Sequence, residues 1–289
     1  MKIHLKAPAK INLFLEIKNK RADGYHNIES IMQTVSLYDE LSFELMENEI
    51  FLECNDKSLP NDETNIVYKA AQAIKKHYNI DKGVKIYLKK GIPMGAGLGG
   101  GSSDAASTLE ALVKLWNIKA TKNELEQIAM KLGADVPFFL TKGTALCEGI
   151  GEIVTALKSV GKLNIVLVNP EYGVNTANMY KKIKFPLTNP IKIHTIKALI
   201  CNNSFNTKEA FNSCFNRFEE FVFPDNPKIV EIKRFLSELG CISLMSGSGA
   251  TVFGILNTKT KIEKLKSELS RYSWKTWFVN TTESHQLYL

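Results

Sequence analysis

Pro93-Met94-Gly95-Ala96-Gly97-Leu98-Gly99-Gly100-Gly101-Ser102-Ser103-Asp104-Ala105-Ala106 is the stretch on which the fold turns. Val84 to Leu88 before it alternates as a strand, and Ser102 to Trp116 has the apolar spacing of a helix. Five glycines between them let the backbone adopt positive φ and approach a ligand closely. The helix start offers unpaired N–H groups to an anion. Ser102 and Ser103 are placed to cap that helix and, in a phosphate cradle, to touch phosphate oxygens or a bound Mg²⁺. A mobile loop is the alternative for any glycine-rich turn; the flanking strand, paired serines and small-residue helix favour the cradle.

The loop type follows from its surroundings. Gly95, Gly97 and Gly100 match G-x-G-x-x-G, but the dinucleotide version requires a second parallel strand after the helix, ending in an acidic residue ~20 positions on. Here another helix follows: Thr121-Lys122-Asn123-Glu124 is a capping box, and Gly133 ends that segment. No lysine precedes Ser102 as a G-x-x-x-x-G-K-[ST] loop requires, and the H-R-D and D-F-G signatures of protein kinases are missing.

Upstream, residues 3 to 17 read as a strand with Ile11, Leu13, Leu15 and Ile17 on one face and Lys10 and Asn12 on the other. Ser30 to Leu45 reads as a second strand and Thr64 to His77 as a helix. Downstream, Asn164 to Val168 reads as a buried strand, with a domain boundary before it near Gly161 that gives lobes 1–160 and 161–289. Helices over Lys208 to Phe221, Pro227 to Leu239 and Lys259 to Tyr272, with strands over Ile242 to Met245, Thr251 to Leu256 and Trp274 to Val279, predict an α+β lobe with helices on one face of an antiparallel sheet.

The 289 residues, 44% hydrophobic, suffice for two cores. No apolar run approaches the ~18 residues of a membrane span, and the N-terminus alternates where a secretory signal would be continuously apolar. Five cysteines without a C-x-x-C pair indicate neither a zinc site nor a disulfide framework and suit a reducing cytoplasm. The charge of +7 is spread along the chain with no basic–aromatic run, so small anions rather than nucleic acid are the expected partners.

The pattern P-x-x-x-G-L-x-x-S-S, with one extra glycine, resembles the central motif of the galactokinase, homoserine kinase, mevalonate kinase and phosphomevalonate kinase (GHMP) superfamily. Ala7-Pro8-Ala9-Lys10-Ile11-Asn12-Leu13 and Met245-Ser246-Gly247-Ser248-Gly249-Ala250 are similar to its outer motifs, in the expected order. Arg21-Ala22-Asp23-Gly24-Tyr25-His26 and Gly133-Ala134-Asp135-Val136-Pro137-Phe138-Phe139 resemble the diphosphocytidyl-methylerythritol kinases of the non-mevalonate isoprenoid route. The resemblance implies the two-domain α+β GHMP-kinase fold, with an N-terminal lobe like ribosomal protein S5 domain 2 and a ferredoxin-like C-terminal lobe. It further implies a cytoplasmic enzyme, monomer or weak homodimer, that binds ATP, with Mg²⁺ expected, and a cytidine diphosphate-linked polyol. The C2 hydroxyl of that polyol would be phosphorylated, without nucleic-acid or membrane partners.

From the residues alone Asp135 reads as a turn aspartate capping a helix and Lys10 as an exposed strand lysine. The resemblance implies instead that Asp135 takes the alcohol proton and that Lys10 is the cation beside it. It assigns the nucleotide to Pro93 through Ser103 and to Asn65 in the adenine pocket; Asp104, grouped with that loop, reads as a structural acid of the first helical turn near the metal. It assigns the acceptor to Asn12, Tyr25, His26, Thr176, Tyr180, Gly247 and Ser248, with cytosine between Tyr25 and Tyr180 and His26 reading its polar edge. Taken singly, both tyrosines read as core or rim residues and His26 as a packed one.

Overall fold

The computed structural model describes residues 2–185, 187, 193–205, 208–257 and 262–283. Along the first half run β1 (Lys2–Lys20), β2 (His26–Met46), β3 (Ile50–Cys54), α1 (Ile66–His77), β4 (Gly83–Lys89), α2 (Gly100–Leu115), α3 (Lys122–Leu132), α4 (Val136–Thr141), β5 (Thr144–Glu148) and β6 (Ile153–Ala156). The second half holds β7 (Asn164–Asn169), α5 (Thr176–Lys182), α6 (His194–Cys201), α7 (Lys208–Asn212), β8 (Phe215–Asn216), α8 (Glu219–Val222), α9 (Pro227–Glu238), β9 (Ile242–Met245), β10 (Val252–Ile255), α10 (Ile262–Leu269) and β11 (Lys275–Asn280).

The first sheet runs β3-β4-β2-β1-β8, with β5 on β2 and β6 on β5. Its helices pack where their apolar stripes require: Val67, Ala70, Ala71 and Ile74 of α1 are buried, and α2 is buried almost all round. The second sheet runs β11-β7-β10-β9 with every pair antiparallel. With α9 between β7 and β9 and α10 between β10 and β11, this is the βαββαβ arrangement of a ferredoxin-like lobe.

Two local expectations change, and a third falls partly outside the described residues. The register of β1 on β2 slips between Asn12 and Phe14, a bulge that reverses which side chains face which layer. Ile11, Leu13 and Phe14 therefore pack in one core, whereas Leu15 and Ile17 pack in another. The expected helix over Lys208 to Phe221 is broken, because Phe215–Asn216 pairs in parallel with Phe14 and Leu15 as β8, and long-range pairing overrides the helical pattern there. A strand from the second half of the chain thus edges the first lobe's sheet. The helix expected from Lys259 is described only from Ile262; residues 258–261 lie outside the described residues.

Candidate active site

The glycine loop crosses from β4 to α2 with Gly95, Gly97 and Gly99 at φ of 61°, 76° and 71°, values that side chains resist. Gly100 is already helical, so its lack of a side chain matters only for space. The helix opens there, with Gly99 at the N-cap and no side-chain cap. Ser102 and Ser103 therefore do not cap it as expected; they lie inside the first turn, and the leading N–H groups are left for a ligand. Ala96 and Leu98 are buried and anchor the loop on either side of the half-buried Gly97.

Backbone and side-chain bonds bring the three glycine and lysine motifs together. Lys10 N–H donates to Leu98 O at 2.9 Å, and Thr251 N–H to Ala96 O at 3.2 Å. Ser246 Oγ donates to Gly97 O at 2.9 Å, and Gly247 N–H to Asn12 Oδ1, also at 2.9 Å. Around this junction opens a cleft of about 900 Å³. Its walls include Pro93 to Gly97, Gly99 to Ser102 and Asp104, but neither Leu98 nor Ser103, whose side chains turn inward.

Asp135 occupies the N-cap position of α4, but its carboxylate makes no capping bond. It faces Lys10 Nζ at 3.7 Å instead. Pro137 near the helix start, with its fixed φ and missing N–H, lets α4 begin there without a side-chain cap. Lys10 is 4% exposed and donates to Asn12 Oδ1 at 2.7 Å. Asn12 Nδ2 donates to Ser30 Oγ at 2.8 Å, and Ser30 Oγ to Phe14 O at 2.7 Å. Both ends of the Asn12 amide are thus engaged within the protein, one N–H remaining for a bound molecule. The result is a fixed cation beside a half-exposed carboxylate, both on the cleft wall that carries the loop's helix start.

Behind the loop lies a buried charge cluster that the sequence did not announce. Lys90 Nζ contacts Asp39 and, at 2.8 Å, Asp104 Oδ2. Asp39 Oδ1 also accepts Gly91 N–H at 2.6 Å and Ile92 N–H at 2.8 Å. Burial works against the Lys90 charge, but the two carboxylates outweigh it and raise its pKa. Burial pushes Asp104 well above the ordinary carboxylate range, with Lys90 opposing. Asp104 lies beyond the first turn of α2, so its partner is Lys90 rather than the helix dipole. Its Oδ1 and the Ser103 hydroxyl are buried without hydrogen-bond partners.

At the other end of the cleft, the His26 and Tyr180 rings stack with centroids 5.0 Å apart and planes 19° off parallel. Tyr180 also meets Phe218 edge-on at 5.0 Å. Tyr25 stands 61% exposed on the rim. His26 is buried, its Nε2 without a partner, and burial followed by the nearby Lys20 charge lowers its pKa, keeping the imidazole neutral. Thr176 and Ser248 share a hydroxyl–hydroxyl bond of 2.5 Å across the cleft. Asn65 lines the cleft as well, but Oδ1 caps α1 through Val67 N–H and Nδ2 donates to Pro60 O.

The sequence reading passed over Lys90, Asp39 and the β8 residues Phe215 and Asn216. Lys90 carried one local signal, a lysine just before the loop; Asp39, 51 residues away from it, carried none. Among the described residues no group of three or more His, Cys, Asp or Glu side chains is arranged to hold a metal ion.

Residues 65–143 match the GHMP kinases N terminal domain, and 196–275 the GHMP kinases C terminal domain. The chain is 43% identical over 280 residues to a 4-diphosphocytidyl-2-C-methyl-D-erythritol kinase of Clostridium beijerinckii, covering 96% of this chain and 99% of that one. It is 44% identical over 262 residues to a protein of the same name from Clostridium botulinum (strain Alaska E43 / Type E3), covering 90% and 93%. Among solved structures, a 4-(cytidine 5'-diphospho)-2C-methyl-D-erythritol kinase superposes with a TM-score of 0.79 at 30% identity over 96% of this chain and 99% of that one. A homoserine kinase from Cytophaga hutchinsonii superposes at 0.78 with 18% identity, over 99% and 96%, a likeness of fold alone.

Proposed function

We propose, from the premise that this chain belongs to the GHMP kinase family, that it transfers the terminal phosphoryl group of ATP to the C2 hydroxyl of 4-diphosphocytidyl-2-C-methyl-D-erythritol. The products are ADP and the 2-phosphate, in the non-mevalonate route to isoprenoid precursors. The observation that carries the chemistry is the uncapped Asp135 carboxylate held 3.7 Å from the Lys10 ammonium.

Phosphoryl transfer asks for in-line positioning, charge neutralisation and a proton acceptor. The open N–H groups at Gly100 and Gly101 cradle the phosphates. A carboxylate is too weak a base to strip a free alcohol, but Asp135 takes the proton as the new O–P bond forms and the bond to ADP breaks. Lys10 stabilises the negative charge developing between the two oxygens. Asn12 orients Lys10. Asn65, already fixed as the α1 cap, presents its edge to the adenine.

The neutral His26, with its unpartnered nitrogen, suits a neutral pyrimidine edge, and Tyr25, exposed on the rim, would stack on the base opposite Tyr180. Thr176, Gly247 and Ser248 line the same cleft and would flank the polyol.

A Mg²⁺ fits as a companion of the nucleotide rather than as a resident ion. Ser102 lines the cleft, and the unpartnered Asp104 oxygen lies two residues on; these residues would hold it together with phosphate oxygens. When bound, the ion offsets triphosphate charge. None of the five cysteines is joined in a disulfide, consistent with work in the cytoplasm.

An ADP-release assay across the cytidyl substrate, homoserine and mevalonate, with the product checked by ³¹P NMR, tests the assignment. Turnover of homoserine or mevalonate but not of the cytidyl alcohol would overturn the acceptor and leave the kinase.

A further inference from the structure

We propose that Asn216 is a positioning residue for phosphoryl transfer, acting through Gly247 and Asn12 on the Lys10 ammonium; this rests on the kinase reading above. Asn216 lies outside the three sequence motifs and touches neither the loop nor Asp135. Its side chain is 1% exposed and held from three directions. Nδ2 donates to Met245 O and Gly247 O, both at 2.7 Å, while Oδ1 accepts Phe218 N–H at 3.0 Å. Both amide donors are therefore directed at carbonyls of the C-terminal glycine motif.

The backbone beneath it is equally fixed. Leu15 pairs with Asn216 in parallel, and Arg217 N–H donates to Leu15 O at 2.8 Å. The Arg217 guanidinium grips Glu16 through two bonds of 2.8 and 2.7 Å, a bidentate geometry that sets orientation as well as charge. The strand that carries Lys10 and Asn12 is thus tied to the segment that carries Asn216.

Gly247 stands between the two asparagines. Asn216 holds its carbonyl, and Asn12 Oδ1 accepts its N–H at 2.9 Å. The same Asn12 oxygen accepts from Lys10 Nζ at 2.7 Å. One oxygen therefore serves both the glycine motif and the cation opposite Asp135. Gly247, at φ 55°, lies so near that a Cβ there would stand 3.1 Å from Lys10 Nζ. If Asn216 released Gly247, Asn12 would lose one of the two donors that orient it, and Lys10 would lose its fixed direction. Small displacements of this kind cost rate because the reacting geometry is narrow.

Asn216→Asp keeps the shape and the bond from Phe218 but sets an oxygen against two carbonyls; Asn216→Ala removes all three bonds. Each is measured in the full chain alone and combined with Asn12→Ala, using whichever alcohol the wild type turns over. A wrong acceptor assignment then shows in the wild type and leaves this comparison readable. Either Asn216 variant is expected to lower kcat by about ten- to a hundredfold, with KM for ATP within about threefold. The double variant should be no slower than Asn12→Ala alone, within about twofold, because both changes cut one relay. Circular-dichroism melting gives the folded fraction to which kcat is normalised. Losses that multiply, an unchanged kcat, or failure of both single variants to fold would each overturn the proposal in favour of a purely structural asparagine.

Discussion

Ser246 donates its hydroxyl to the carbonyl of Gly97 across 2.9 Å, joining residues 149 positions apart. The C-terminal glycine motif therefore closes directly onto the glycine loop, leaving no room for a side chain at Gly97. That contact explains which glycines of the loop are irreplaceable, and it differs from what spacing alone suggests.

A Cβ at Gly97 would meet Ser246 O at 2.1 Å and Gly249 O at 3.0 Å, at a φ of 76°. Gly97→Ala is therefore expected to destabilise the closure by at least about 1–3 kcal/mol and to weaken ATP binding with it. Gly101→Ala, whose nearest neighbour is 3.7 Å away at an ordinary φ, should melt like the wild type. Melting temperatures and equilibrium ATP affinity separate the two; equal behaviour would contradict the closure.

Asp135→Asn keeps the side chain's shape and removes the proposed proton acceptor. Turnover is expected to fall on the order of a hundredfold or more while ATP still binds. Single-turnover rates with separately measured ATP affinity check this, and a near-normal rate would assign Asp135 to orientation only.

Tyr180→Phe preserves the ring that stacks on His26, whereas Tyr180→Ala removes it. The phenylalanine variant should retain its KM for the cytidyl acceptor. The alanine variant should lose roughly five- to a hundredfold, from stacking of ~1–3 kcal/mol, with ATP little affected. Equal losses in both, or a loss confined to ATP, would remove Tyr180 from the acceptor site.

His26 supplies a pH signature. Its folded pKa lies below the unfolded value of ~6.5, so below that value the unfolded chain binds more protons. The stability it contributes is complete above about pH 7 and declines as pH falls through ~6.5 and below. KM for the cytidyl acceptor should rise over the lower part of the same window as the imidazole charges. Melting and KM profiles of wild type and His26→Gln from pH 8 to pH 5 test both; parallel profiles would show that His26 is silent.

Lys90→Met strands Asp39 and Asp104 in the interior. Breaking a buried pair in this way costs about 3–5 kcal/mol, read as a shift in urea midpoint at pH 7. Asp104 binds its proton more tightly folded than unfolded, so the deficit should narrow as pH falls toward ~4. A shift under ~1 kcal/mol at neutral pH would mean the cluster is dispensable.

The sequence by itself determined the local parts of this protein. Glycines at 95, 97 and 99 made a loop of positive φ, Thr121 and Glu124 made a capping box, and alternation set Lys10 and Asn12 on one face of a strand, because such features depend on backbone torsion and side-chain period within a few residues. The motif order that resembles the GHMP kinases was legible for the same reason. Only the tertiary structure decided that Asp135, which reads as a helix cap, turns its carboxylate to a lysine 125 positions earlier in the chain. It also decided that Phe215–Asn216 is a strand and not helix, that the Asn12–Phe14 bulge divides one strand between two cores, and that Lys90 sits between two aspartates. Each of these depends on partners far apart in the chain, and burial, which selects such pairs by the cost of leaving a charge or backbone group unmatched, leaves no periodic trace in either segment.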